Sequence, residues 1–415
     1  MMCASADASL RMKTATVTAK HAAEAYLGLS PILIGLQIIV VVVFIPLAMR
    51  GGADFRQLYT AGYMVRAGYS SRLYDYNVQK DLQNKLVSPA QIALPFNHLA
   101  YEALLFAPLS AFSYRHAYLI FLAVNVLLLT AFVQFLRSCL RNLSALWPWF
   151  SLPLVAGFIP AAGALMQGQD SIITLLVMAS AMAAMERGRE PLAGVLIALA
   201  LFKFQIVLPI AALFLVWRRW KFVYGFVSMS AALVFTSICI VGPRQLMVYA
   251  NSVILMANPG GEPKSAIVPT AMPNLRGLVV GVLGIGAPSS LILALTVLFS
   301  VAIMLWAALR APDVDSMFPL AITVATLVSY HLLLYDASIL LIPVAKTLDK
   351  ALAGRERSSL SSACALLVLI TPAYAIIDRG HAYAFAVPII AFLWATWFKA
   401  GSKQNAWLRS DAEPA

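Results

Sequence analysis

The chain has 415 residues, 61% of them hydrophobic and 12% charged, with a mean hydropathy of +0.83 and a formal net charge of +12. Apolar runs of about 20 residues recur along its whole length, enough to cross a hydrocarbon core roughly 30 Å thick, which excludes an ordinary water-soluble domain. Only helices or closed barrels span a bilayer, and these runs are too long and too unalternating for barrel strands, so an all-α polytopic membrane protein is expected.

The positive charge does not imply a nucleic-acid partner. The basic residues sit at helix ends rather than among clustered aromatics, where topology and anionic membrane lipids account for them. The four cysteines, Cys3, Cys139, Cys239 and Cys364, are far apart and form no CxxC pair, so neither a disulfide framework nor a zinc site is supported.

In chain order the apolar runs fall at 31–49, 96–112, 114–136, 147–165, 170–185 and 191–217, then at 222–241, 288–309, 318–330, 332–345, 359–377 and 382–398. This predicts about 11–13 transmembrane or re-entrant helices. Residues 1–30 read as a cytoplasmic amino-terminal segment and 31–49 as a retained anchor, too long for a signal-peptide core. Residues 31–399 read as one transmembrane domain with two long outer loops, 50–95 and 242–287, and 400–415 as a polar cytoplasmic tail. The run 96–112 is short and contains Pro108, so it is expected to dip rather than cross. The run 191–217 is longer than one crossing needs and is interrupted by Lys203, Gln205 and Pro209, which predicts two half-helices with Phe202-Lys203-Phe204-Gln205 at an outer tip.

Arg137, Arg141, Arg187, Arg189, Arg218, Arg219 and Lys221 in the short connections set the cytoplasmic side. With that sign, the unusual polar residues gather at the opposite face: Asp54, the turn Gln167-Gly168-Gln169-Asp170, Lys203, the loop 242–287 and the segment His331–Asp336. They describe a polar cavity opening at the outer leaflet.

Asp54 begins a stretch, 54–66, that can form a helix in the headgroup layer. Its carboxylate suits a general base that draws a proton from an acceptor hydroxyl, or else the N-cap of that helix. Arg56, Lys203 and Arg276 are candidate cations for a lipid phosphate, Lys203 foremost because a lysine inside an apolar run needs an anionic or carbonyl partner. His331 shares a helical face with Tyr335, with Asp336 next to it, and can bind a phosphate as imidazolium or hydrogen-bond a sugar hydroxyl. Asp313-Val314-Asp315 has metal-pair spacing but falls on the cytoplasmic side, so no divalent metal is indicated. The sequence also carries no glycine-rich phosphate loop. An outward-facing enzyme without nucleotide machinery needs an activated substrate delivered by the membrane, and a polyprenyl-phosphate sugar fits.

Asp54-Phe55 with Tyr59, Ala61-Gly62, Gly68 and Leu73-Tyr74-Asp75 resembles the first external loop of glycosyltransferase family 87. So does Met166-Gln167-Gly168-Gln169-Asp170, followed by Gly194-Val195 and Phe202-Lys203, while the His331 to Asp336 segment is similar to that family's late histidine motif. The resemblance runs over about 50–345 and implies a GT-C-type glycosyltransferase fold with its site at the outer face. It further implies a metal- and cofactor-independent, inverting transfer of mannose from a polyprenyl-phosphate donor to a lipid or glycan acceptor, in a bacterial inner membrane. Asp54 would be the catalytic base and His331 a second active-site residue, with Arg56, Tyr59, Gln169, Asp170, Lys203, Arg276, Tyr335 and Asp336 around the substrates. Many relatives carry a Tyr-Pro-Pro-like string after the first loop. Here it reads Pro95-Phe96-Asn97-His98-Leu99-Ala100-Tyr101, which reshapes the acceptor or sugar site. A transporter or flippase of a lipid-linked sugar is the alternative; it predicts repeated halves around a midplane site, and no repeat stands out.

Overall fold

A computed structural model gives the fold and describes residues 2–89, 93–257, 269–310, 312–355, 359–376 and 378–398. The tail at 400–415 lies outside them. Every regular element among the described residues is helical. Among the described residues six helices are long and apolar enough to cross a membrane, and the pair Glu190–Leu199 and Leu201–Val216, bent at its break, is either a broken seventh span or a re-entrant loop. Shorter apolar helices, Ser171–Glu186 and Val314–Val328, complete the interior.

The first helix runs without interruption from Met2 to Leu47, so the stretch up to residue 30 and the anchor share one helix. Ala15, Ala19, Ala22, Ala23 and Tyr26 are buried, and the helix packs against Leu341–Leu352 and Ser359–Ile370. Further along, Ile32, Ile39 and Val43 are exposed apolar side chains, as a lipid-facing surface requires.

The run 96–112 does not cross. Only Ala100–Phe106 is α-helical there, followed by one 3-10 turn at Leu109–Ala111. Seven α-helical residues extend roughly 10 Å, far short of a bilayer core. The long first loop folds into Phe55–Arg66, Ser70–Arg72 and Tyr76–Leu86. The expectation of a helix lying in the headgroup layer needs correction. Phe55, Leu58, Tyr59, Ala61 and Met64 are buried, and Phe55–Arg66 packs against Ala100–Phe106 inside the molecule. Its apolar face finds protein rather than lipid.

The long run at 191–217 breaks where its polar residues begin, with a bend of 70° between the two halves. The bend frees backbone groups at membrane depth, and one side chain satisfies them. The Tyr101 hydroxyl donates to the Leu199 carbonyl (3.1 Å) and accepts from the Phe202 N–H (2.9 Å). Glu190–Leu199 then lies closely on Trp220–Val241, because a glycine stands at each of the two closest approaches. A Cβ on Gly194 would sit 2.0 Å from the Phe222 carbonyl oxygen, and one on Gly225 would sit 2.1 Å from that of Pro191. This tight crossing fixes where the break, and with it Lys203, stands.

Candidate active site

Four separate parts of the chain converge at one end of the bundle: the start of Phe55–Arg66, the turn before Ser171–Glu186, the break at Lys203 and the non-helical stretch 329–333 that precedes the 3-10 helix Leu334–Leu340. They enclose a cavity of about 340 Å3 lined by Asp54, Gln169, Lys203, Arg276, His331, Tyr335 and Asp336 among others. Seven of the ten residues singled out from the sequence therefore meet at one place.

Asp54 occupies the N-cap position of its helix, yet its side chain makes no capping bond. Its Oδ2 instead accepts hydrogen bonds from the Tyr335 hydroxyl (2.8 Å) and from Gln169 Nε2 (2.8 Å). Gln169 also donates to the Tyr335 oxygen at 3.1 Å, so the three side chains form a closed triangle. Two donors on one oxygen hold the carboxylate in a single orientation and leave Oδ1 uncommitted among the described residues. The Asp54 backbone is pinned as well, its N–H donating to Gln167 Oε1 at 3.0 Å. The turn that supplies both glutamines depends on Gly168, whose φ of 58° is left-handed. A Cβ there would meet Phe55 Cβ at 2.8 Å, so glycine is what allows the turn to press against the start of the Asp54 helix.

Behind this triangle lies a buried ionic network. Lys203 Nζ is 2.6 Å from Asp170 Oδ1 and 2.8 Å from Asp336 Oδ1. Ser171 donates to Asp336 Oδ1 at 2.7 Å, and the Leu333 N–H donates to Asp336 Oδ2 at 3.1 Å. The lysine bridges the turn to the late segment, which sequence reasoning required of it: a cation at that depth has to be paired. Asp170 is fully buried and does not line the cavity itself.

Arg56 and Tyr59 stand elsewhere. The Arg56 guanidinium is buried and donates to Gln83 Oε1 (3.0 Å), Asn84 Oδ1 (3.3 Å) and the Ser88 carbonyl (2.7 Å). It ties down the end of the Tyr76–Leu86 helix and has no face toward the cavity. The Tyr59 hydroxyl donates to the Phe112 carbonyl at 2.9 Å, again away from the site. The expectation that both meet the substrates, Arg56 as an outer cation for a lipid phosphate and Tyr59 from the resemblance, is not met by this geometry: two and five residues on from Asp54, they point from the helix in other directions.

The site also takes in His98, from the altered string after the first loop, and Glu102, which the sequence analysis does not single out. Glu102 is fully buried, one turn along from His98, and pairs with His98 Nδ1. The same nitrogen stands 3.4 Å from Asp170 Oδ2, which joins His98 to the Lys203 network. His98 lines the cavity. The signal for Glu102 was visible as a carboxylate within an otherwise apolar run.

The two cavity histidines are driven in opposite directions. Burial is the largest influence on His331 and, aided by Lys203 and Arg276 and only opposed by Asp336, lowers its pKa to about 4. It is therefore neutral at pH 7 and suited to hydrogen-bonding a hydroxyl rather than to binding a phosphate as a cation. Burial also works against the charge of His98, but Glu102 and Asp170 outweigh it and hold the imidazole above its usual range. Environments that separate like groups in this way commonly mark division of labour in a site.

His98, Glu102 and Asp170 place one ligand atom each within 4.8 Å of one another, a spacing that a metal ion can use. The donor set argues otherwise, since the Asp170 carboxylate already holds the Lys203 ammonium at 2.6 Å and that charge repels a second cation. Arg276 is the freer cation of the cavity, its Nη1 donating to the Tyr330 carbonyl at 3.3 Å.

No curated protein and no solved structure matches the chain. The model of glycosyltransferase family 87 matches residues 101–335, which is more than half of the 415 residues and runs from the tyrosine at the helix break to the tyrosine that holds Asp54. The all-helical, membrane-spanning architecture agrees with that match, and the chain belongs to glycosyltransferase family 87, a family of membrane glycosyltransferases.

Proposed function

We propose that the protein transfers a sugar, mannose by family resemblance, from a polyprenyl-phosphate donor to a lipid or glycan acceptor at the periplasmic face of a bacterial inner membrane, with inversion. Asp54 is the general base. The observation that carries this reading is the triangle of Asp54, Gln169 and Tyr335, which aims one carboxylate into a cavity that also presents Arg276 and a neutral His331.

In this mechanism the acceptor hydroxyl donates to Asp54 Oδ1, the oxygen that Tyr335 and Gln169 leave open. As the acceptor oxygen bonds to the anomeric carbon, its proton passes to Asp54 and the bond to the donor phosphate breaks on the opposite face. A general base so placed contributes roughly 100- to 10,000-fold to the rate. Arg276 contacts the phosphate, and His331 hydrogen-bonds a sugar hydroxyl. Lys203 acts through Asp170 and Asp336, whose positions it fixes. Binding both lipids in one bilayer supplies proximity without a dissolved intermediate.

The test uses the purified protein in nanodiscs with a membrane-lipid extract as acceptor and radiolabelled donors of two kinds, polyprenyl-phosphate sugars and nucleotide sugars. Transfer from a polyprenyl-phosphate hexose and not from nucleotide sugars supports the proposal and identifies the sugar. Transfer from nucleotide sugars, or from no donor, overturns it.

A further inference from the structure

His98 is placed with more care than a packing residue needs. Its ring lies between Phe96, at 5.4 Å between centroids, and Phe202, at 6.4 Å and nearly parallel. Its Nδ1 is held by Glu102 and, at 3.4 Å, by Asp170. Its side chain retains 15% exposure, and that exposure is to the cavity. With Nδ1 engaged, Nε2 is the ring atom left without a partner among the described residues. Glu102 and Asp170 on one nitrogen favour the doubly protonated ring, in which Nε2 is a donor only. A donor-only cation facing a cavity is suited to an anion and poorly suited to a sugar hydroxyl that must itself donate.

The charge balance of the site points the same way. Asp54, Asp170 and Asp336 supply carboxylates at or behind the cavity wall, against Lys203 and Arg276 as permanent cations, while burial pushes the Glu102 carboxyl up to about 8. Lys203 is already shared between two of those carboxylates. A phosphate that enters beside them needs a further positive group, and His331 is not one because it is neutral.

We propose that His98 is a phosphate-binding residue of this site, its Nε2–H taking an oxygen of the donor phosphate while Glu102 and Asp170 hold the ring from behind. This rests on the glycosyl-transfer reading given above. In the transfer step the acceptor oxygen forms its bond to the anomeric carbon and gives its proton to Asp54. The bond from that carbon to the phosphate oxygen breaks, and its electron pair stays on the phosphate, which gains one negative charge. His98 keeps its proton throughout. A fixed cation aimed at the oxygen where charge develops stabilises the departing phosphate more than the bound donor. Glu102 is then a positioning residue, and its otherwise puzzling burial in a short helix is accounted for.

The experiment measures binding of polyprenyl phosphate and of the uncharged polyprenol to wild type, His98→Gln and Glu102→Gln in nanodiscs, together with transfer by each protein. Glutamine keeps a donor of similar length but no charge. The expected result is a Kd for polyprenyl phosphate weakened roughly 10- to 100-fold in His98→Gln, with polyprenol binding unchanged. Glu102→Gln should show a smaller loss in the same direction, and it reports on the idea independently should His98→Gln unfold. Equal weakening toward both ligands, or unchanged phosphate binding with an altered choice of sugar, overturns the assignment of His98. Wild-type protein that neither binds polyprenyl phosphate nor transfers from it overturns the glycosyl-transfer reading as well.

Discussion

Replacing Tyr101 by phenylalanine removes one oxygen atom and is predicted to be among the more damaging conservative changes in the chain. That oxygen closes the break in the bent span by donating to the Leu199 carbonyl at 3.1 Å and accepting from the Phe202 N–H at 2.9 Å. Tyr101 is 8% exposed, so little water is at hand to replace its hydroxyl. Each buried backbone group left without a partner costs about 1–3 kcal/mol, giving a loss of about 2–6 kcal/mol for the pair. On the usual entropy scaling for a chain of 415 residues this lowers Tm by roughly 2–7 °C. Because Lys203 follows Phe202 directly, transfer should fall too, through a misplaced ammonium. The assay is thermal unfolding in detergent for wild type, Tyr101→Phe and Tyr26→Phe. Tyr26 is an apt comparator: its buried hydroxyl also bonds backbone carbonyls, but the Pro153 carbonyl it reaches at 3.2 Å already accepts from the Gly157 N–H at 2.8 Å. Its loss orphans no backbone donor, and a cost below about 1.5 kcal/mol is expected. Equal and small shifts in the two variants would refute the idea that Tyr101 carries the backbone of the break.

Lys203→Met should destabilise by about 3–5 kcal/mol by leaving Asp170 and Asp336 buried without their cation; adding Asp170→Asn should restore part of that, read as a coupling energy in a double-mutant cycle. Gly194→Val should give little folded protein by size-exclusion chromatography, because its Cβ would stand 2.0 Å from the Phe222 carbonyl oxygen. Asp75 caps the Tyr76–Leu86 helix by accepting from the Asn77 and Val78 N–H groups, and Asp75→Ala should cost about 1 kcal/mol at pH 7. Arg72 holds the Asp75 carboxyl below its ordinary range, so this contribution is fully present above the ordinary carboxyl pKa and is lost as pH falls through the lowered value. Wild type and Asp75→Ala should therefore converge in Tm as the pH falls below the lowered Asp75 value.

The membrane class and most of the site were legible in the sequence because a charge in an apolar run is costly and has to be answered by a partner. Lys203 stands out for that reason, Asp54 as a carboxylate at the bilayer rim and Asp336 beside Tyr335, and the three meet at one cavity. The location of the break in 191–217 was legible from Lys203 itself, whereas the partner that makes the break tolerable was not. Tyr101 lies 98 residues from Leu199, and no local pattern announces a hydroxyl that serves two backbone groups. Arg56 and Tyr59 turn away from the cavity because being on the outer side of the membrane does not decide which way a side chain points. The local demand of Gln83, Asn84 and Ser88 for a buried donor decided where Arg56 went. Glu102 is the converse case, a carboxylate in an apolar run whose histidine stood four residues before it, read only as part of an altered motif.

The most direct test of Asp54 as the base is single-turnover transfer from a polyprenyl-phosphate sugar, comparing wild type with Asp54→Asn in nanodiscs. Asparagine retains the shape and an oxygen for Tyr335 and Gln169 but cannot take the proton. The rate should fall by roughly 100- to 10,000-fold while donor affinity stays within about threefold of wild type. An Asp54→Asn protein that keeps more than about a tenth of the wild-type rate would contradict a base role worth even the lower end of that range.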